Sequence, residues 1–132
     1  MKYPSLLALF FFVLSLLPSC TPKSPDAPKA VLVSSVDQLA LGEELFRNNC
    51  ATCHNKNMVD DLTGPALRGV TERWSDYPRE DLYRFIRASQ AMIKDDHPKA
   101  LEQWEAWKPR VMTNQNLTDE EIEALLAYIE RE

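Results

Sequence analysis

The sequence predicts an all-α domain of about four helices. Apolar residues repeat at helical spacing, most clearly at Ile122, Leu125, Leu126 and Ile129, which stand at i, i+3, i+4 and i+7. Capping signals precede the apolar runs, as in Thr118 with Glu121 three residues on. Only 3 Gly are present against 9 Pro, and most of the prolines fall in the first thirty residues or at helix boundaries.

The chain has 132 residues, 45% hydrophobic and 27% charged, a length that suits one globular domain plus some extra sequence. The extra sequence is at the start. Lys2 is followed by an apolar run, Leu6 to Leu17, broken only by Ser15. The run is too short for a typical spanning helix and has the shape of a secretory signal. It ends in Leu17, Pro18, Ser19 and Cys20, which resembles a bacterial lipoprotein signal, although Pro18 is a less usual occupant of that box. Residues 1–19 therefore read as a signal peptide, 20–34 as a lipidated N-terminus at Cys20 with a flexible tether, and 35–132 as the folded domain. The competing readings are an ordinary cleaved signal with a leftover Cys, and an uncleaved anchor. Each of them puts the domain outside the cytoplasm, and the lipoprotein reading anchors it by lipid to a bacterial membrane on the periplasmic face. Several acyl chains hold a protein stably on a bilayer, whereas one gives marginal binding. The tether is rich in Pro, Ser, Lys and Asp, with no period before Val31.

The formal charge is −5. Cleavage after residue 19 removes Lys2 and leaves 14 basic against 20 acidic residues, a formal −6. That excludes nucleic acid, which needs clustered Lys and Arg, and favours a partner with a basic docking face.

The first predicted helix begins at Ser35, with Gln38 in the capping-box place. Leu41, Leu45 and Phe46 form its apolar stripe, and Gly42 sits in its middle at a cost of about 1 kcal/mol against Ala. A close approach by another helix would justify that glycine. The stripe runs into Cys50, Ala51, Thr52, Cys53 and His54. Cys-x-x-Cys alone is ambiguous between a redox dithiol, half a zinc site and chance. The histidine directly after it makes it a covalent c-type haem attachment motif. Positions i and i+3 share a helix face, so both thiols reach the vinyl groups along one porphyrin edge, and His54 lies under the ring as the proximal ligand.

Residues 55–70 read as a loop containing Thr63, Gly64, Pro65, Ala66 and Leu67. A ligating histidine usually donates its other N–H to a backbone carbonyl. Pro65 either presents that carbonyl on a stiff turn or is simply a turn residue. Pro78 opens a second long helix with Leu82, Phe85, Ile86, Ser89 and Ile93 on one face. Asp95 and Asp96 end it, and Pro98 fits the first turn of a third helix that packs through Leu101, Trp104 and Trp107. For Trp74, Trp104 and Trp107, core packing is the leading role and a haem propionate contact the rival one. Thr118 and Glu121 cap the last helix, with acids in its first turn.

With those residues in place, the region from Ser35 to Glu132 resembles a class I cytochrome c. The motif Cys50 to His54 near the N-terminus, Thr63-Gly64-Pro65-Ala66-Leu67 after it, and a Met before a last helix reading LTDEEIEALLAYI carry the resemblance. It implies an all-α wrap of about four helices around one haem c, with Gly42 and Phe46 of the first helix crossing Leu125 and Tyr128 of the last. It also implies that Pro65 supplies the carbonyl to His54 and that Met112 is the distal iron ligand. Many relatives have Pro directly after this Met, whereas this chain has Thr113. Met58 lies too close in sequence to His54 to reach the opposite face, and Met92 reads as helix packing. His97, the rival ligand, reads as a solvated surface residue beside two aspartates.

The resemblance implies a monomeric one-electron carrier rather than an enzyme, since no acid/base pair or nucleophile motif is present. Its partner would be a membrane redox complex, such as a terminal oxidase, a quinol-oxidising complex or a nitrogen-oxide reductase. Two alternatives follow from the same residues. One is a haem-based small-ligand sensor with a displaceable Met112. The other is a fixed electron-entry subunit of one enzyme.

Overall fold

The structure is a computed structural model and describes residues 34–131. The signal peptide, Cys20 and all but the last residue of the tether lie outside the described residues. The described residues form helices α1 (Ser35–Asn49), α2 (Val70–Arg73), α3 (Arg79–Lys94), α4 (Pro98–Trp107) and α5 (Asp119–Ile129), with no strand among them. Four of the five are the helices expected from periodicity. The fifth, α2, is a single turn inside the stretch read as loop. Its N-cap, Gly69, adopts φ +75°, a conformation natural to glycine.

The first cap lies one residue earlier than expected. Ser34, not Ser35, has the extended backbone a cap needs, and its Oγ accepts from the N–H of Asp37 at 3.2 Å. Ser35 is already helical, so Gln38 has no capping-box role. At α5 the box forms as read: Thr118 Oγ1 accepts from Glu121 N, and the Glu121 carboxylate accepts from Thr118 N.

Helices α1 and α5 cross at Gly42. A Cβ placed on Gly42 would lie 2.1 Å from the carbonyl oxygen of Ala124 and 2.7 Å from Cβ of Tyr128. One turn on, the rings of Phe46 and Tyr128 pack at 5.8 Å, both nearly fully buried. Helix α5 then serves two cores. Ile122 and Leu126 join Trp74, Leu82, Tyr83, Met92 and Ala100, while Leu125, Tyr128 and Ile129 join Leu45, Phe46 and Met58. Met92 is fully buried, as packing required.

The end of α5 is also tied to α2. The Glu130 carboxylate accepts from the N–H groups of Gly69 at 2.7 Å and Thr71 at 2.9 Å. Burial raises its pKa, but those donors outweigh burial and hold it below the ordinary value.

Gly42→Ala tests the crossing. Helix propensity alone would stabilise the variant by about 1 kcal/mol. The contact is with a backbone carbonyl, which cannot rotate away, and overpacking of this kind costs about 1–3 kcal/mol or more. The variant should therefore melt below the parent, and a higher melting temperature would show that the helices have room.

Candidate haem site

The C-terminal end of α1 delivers the motif. Cys50 caps the helix, its N–H donating to Phe46 O at 2.8 Å, and a further turn closes through His54 N to Cys50 O at 2.9 Å. The chain then folds back so that Gly64 N donates to Cys53 O at 2.8 Å. This brings Pro65 under the imidazole, and His54 Nδ1 stands 2.8 Å from Pro65 O. A carbonyl only accepts, so Nδ1 carries the proton and Nε2 of the neutral ring keeps its lone pair. Burial lowers the His54 pKa, and the Pro65 bond offsets only part of that, so the ring is neutral near pH 7. Gly64 leaves no room behind the ring: a Cβ there would stand 2.9 Å from His54 Cε1.

Cys50, Cys53 and His54 line a cavity of about 430 Å³, within the ordinary range of cofactor sites. Phe85 and Ile86 of α3, Trp104 and Trp107 of α4, and Leu125, Leu126 and Ile129 of α5 make its apolar walls. Met112 also lines it. Met58 and Met92 are buried in the two cores and take no part in its wall. Among the described residues, His54 and Met112 are the only histidine and methionine that face this cavity.

The two rival readings of Cys-x-x-Cys find no support. A redox dithiol depends on a lowered thiol pKa. Here burial, with the neighbouring Cys53, pushes Cys50 up to about 11. A zinc site needs further ligands, and no group of three His, Cys, Asp or Glu residues gathers among the described residues. The set present fits a haem: two thiols side by side, one oriented imidazole nitrogen, a thioether and a large apolar enclosure. The family model described as Cytochrome c matches residues 39–131.

The chain belongs to the cytochrome c family.

Solved structures agree on the class I fold. A cytochrome c from Rhodothermus marinus is 25% identical, with a TM-score of 0.59 over 79% of this chain and 83% of that one. An engineered cytochrome c from Rhodothermus marinus bound to a carbene intermediate is 24% identical, with a TM-score of 0.55 over 79% and 83%. Its engineered counterpart Rma TDE is 24% identical, with a TM-score of 0.58 over 79% and 84%. No curated protein matches the chain. Cytochromes c are electron-transfer proteins that hold haem c covalently through cysteines, here Cys50 and Cys53, and they typically work outside the cytoplasm. No helix among the described residues is long and apolar enough to cross a membrane.

Two sequence expectations change. His97 is not a solvated surface residue: its side chain is 14% exposed, its Nδ1 caps α4 by accepting from Ala100 N, and its ring stacks on Trp74. Its Nε2 stands 3.4 Å from Asp81, sixteen residues back on α3, and the ring takes no part in the cavity wall. Trp104 and Trp107 face the cavity and are not in either core, while Trp74 belongs both to a core and to the cavity wall. Sequence reading missed Arg73 and Arg110, which bring positive charge to that wall. No local pattern marks them.

Gly64→Ala should displace the imidazole. The haem-loaded variant is expected to lose about 1–3 kcal/mol of stability and to show a visible spectrum shifted from the parent's. An unchanged spectrum and melting temperature would mean the ring has slack.

Proposed function

We propose that this cytochrome c is a membrane-tethered one-electron carrier, ligated by His54 and Met112 and serving a respiratory complex. The observation that carries the reading is the convergence on one cavity of Cys50, Cys53, His54 and Met112, with no carboxylate in its wall. Bound haem supplies reversible one-electron chemistry at its iron. The chain's own residues do the rest. Pro65 fixes the imidazole so that Nε2 faces the cavity. Met112 would offer its thioether to the bound iron, and a soft sulfur ligand raises the reduction potential. The apolar wall keeps water away, which favours the less charged oxidation state. His54 and Met112 would both hold the iron, and no carboxylate lines the cavity to act as acid or base beside it, which suits electron transfer.

The formal −6 of the chain after residue 19 suits a basic docking face on the partner. Lipidation at Cys20 and the spacer after it would hold the domain near a membrane complex at raised effective concentration. A terminal oxidase, a quinol-oxidising complex or a nitrogen-oxide reductase would each serve as that partner.

Two experiments test this reading. The ferrous haem-loaded full chain is expected to keep its spectrum under carbon monoxide at neutral pH, whereas Met112→Ala binds the gas readily. A parent that binds it tightly would favour the small-ligand sensor instead. Cys20→Ser should move the protein from the membrane fraction to the soluble periplasmic fraction, and retention in the membrane would remove the lipid anchor from the account.

A further inference from the structure

Residues 110–118, between α4 and α5, carry no regular structure, and the local bonds from the Gln115 side chain go to Thr113 rather than to Met112. The segment is held from outside itself by one stretch of α3. That stretch is Arg87–Gln90, and it contains the non-helical residue of α3, Ala88, at φ −151° and ψ 53°. A carbonyl inside a regular helix is taken by the N–H four residues on. Next to the break, Arg87 O accepts from outside the helix, from Gln115 N at 3.1 Å. The Arg87 side chain reaches further along the same segment. Its Nε donates to Leu117 O at 2.7 Å, and its guanidinium pairs with Asp119 at the start of α5.

Two residues beyond the arginine, the contacts reach Met112 itself. Ser89 Oγ donates to Met112 O at 3.1 Å, and Gln90 Nε2 donates to the same oxygen at 3.3 Å. A serine inside a helix commonly bonds back to its own preceding turn. Ser89 is 1% exposed and lines the cavity, yet its hydroxyl goes to the neighbouring segment. Three residues of one turn, Arg87, Ser89 and Gln90, thus hold Met112, Gln115, Leu117 and Asp119, at the one place where α3 departs from helical geometry.

We propose that Arg87–Gln90 is the positioning device for the axial methionine, with Ser89 fixing the Met112 backbone so that its thioether is presented to the iron. This rests on the reading of Met112 as a ligand. The device replaces stiffness that the segment lacks. Thr113, exposed and with a free backbone torsion, cannot lock the chain beside Met112 as a proline would. Loss of the Ser89 bond lets the segment sample positions in which the sulfur is away from the iron. Apparent affinity for an added ligand rises with the fraction of such positions.

The test is carbon monoxide affinity of the ferrous, haem-loaded full chain, measured beside unfolding stability for Ser89→Ala, Gln90→Ala, Ile122→Val and Met112→Ala. Ile122 is fully buried, does not line the cavity, and bonds the segment through its backbone N–H to Thr118 O, which valine keeps, so its variant loses stability without removing a bond to Met112. Ser89→Ala is expected to raise affinity by about three- to tenfold, the worth of one hydrogen bond, with Gln90→Ala smaller and in the same direction. Ile122→Val should lower stability and leave affinity at the parent's value. If Ser89→Ala and Gln90→Ala stay within about twofold of the parent while Met112→Ala opens the site, the positioning role is overturned and the ligand assignment stands. The same holds if Ile122→Val raises affinity equally, since general loosening would then explain the effect. If Met112→Ala leaves affinity unchanged, the ligand assignment itself fails. Should Ser89→Ala not fold, the exposed Gln90 decides by the same criterion.

Discussion

The contact on which the rest depends is the backbone approach of α1 to α5 at Gly42. Helix α1 carries the cysteines and His54 at its C-terminal end, and α5 supplies the cavity floor through Leu125, Leu126 and Ile129. The distance between the two helices therefore sets the distance between the attachment motif and that floor. A side chain at position 42 would meet a carbonyl oxygen, so the crossing tolerates hydrogen alone. The glycine costs helix propensity, and the burial of Phe46 and Tyr128 one turn away offsets it several times over, at about 25 cal/mol per Å² of apolar surface.

From that crossing, the division of α5 follows. Its buried residues surround most of its circumference, which a helix at the surface of a small domain seldom shows. One side closes the α1 core and another closes the α3 and α4 core. The haem cavity lies where the walls from both cores meet, bounded by Leu125 from one and Leu126 from the other. In a domain of this size the protein core alone is modest. An apolar macrocycle between the two clusters makes them one continuous interior, which ties cofactor binding to folding stability by mass action.

How much was legible in the sequence depended on how local the cause was. The last helix was plain because its capping box, acidic first turn and apolar stripe all lie within twelve residues. The attachment motif was plain because its chemistry fixes its spacing. Gly42 was legible as an anomaly, and the family pattern supplied its partner. The first cap slipped by one because Ser34 and Ser35 are chemically alike and only backbone geometry separates them. His97 was misread because its partner Asp81 and its stacking partner Trp74 are remote in sequence. The break at Ala88 had no local sign at all. Alanine is the best helix former, and the dihedral change there accompanies hydrogen bonds to a segment more than twenty residues away.

These causes leave the His54 and Met112 sides of the cavity unlike each other. The His54 side is knit by short-range bonds in one continuous stretch: His54 to Cys50, Gly64 to Cys53, and both Leu67 and Arg68 to the Met58 carbonyl at 3.0 and 2.8 Å. The thioether links at Cys50 and Cys53 add covalent restraint on that side alone. On the Met112 side the Gln115 side chain bonds Thr113, and the other bonds run to a single turn of α3. Segments with few local bonds open at lower free energy than those knit into the fold. Under the proposed ligation, thermal or chemical loosening should therefore release the Met112 sulfur well before the imidazole. The proposed carrier role needs both ligands to stay in place through each redox cycle, so the working range would be set by the weaker side. In this chain that side is a loop without its own structure, held at Met112 O by one serine and one glutamine.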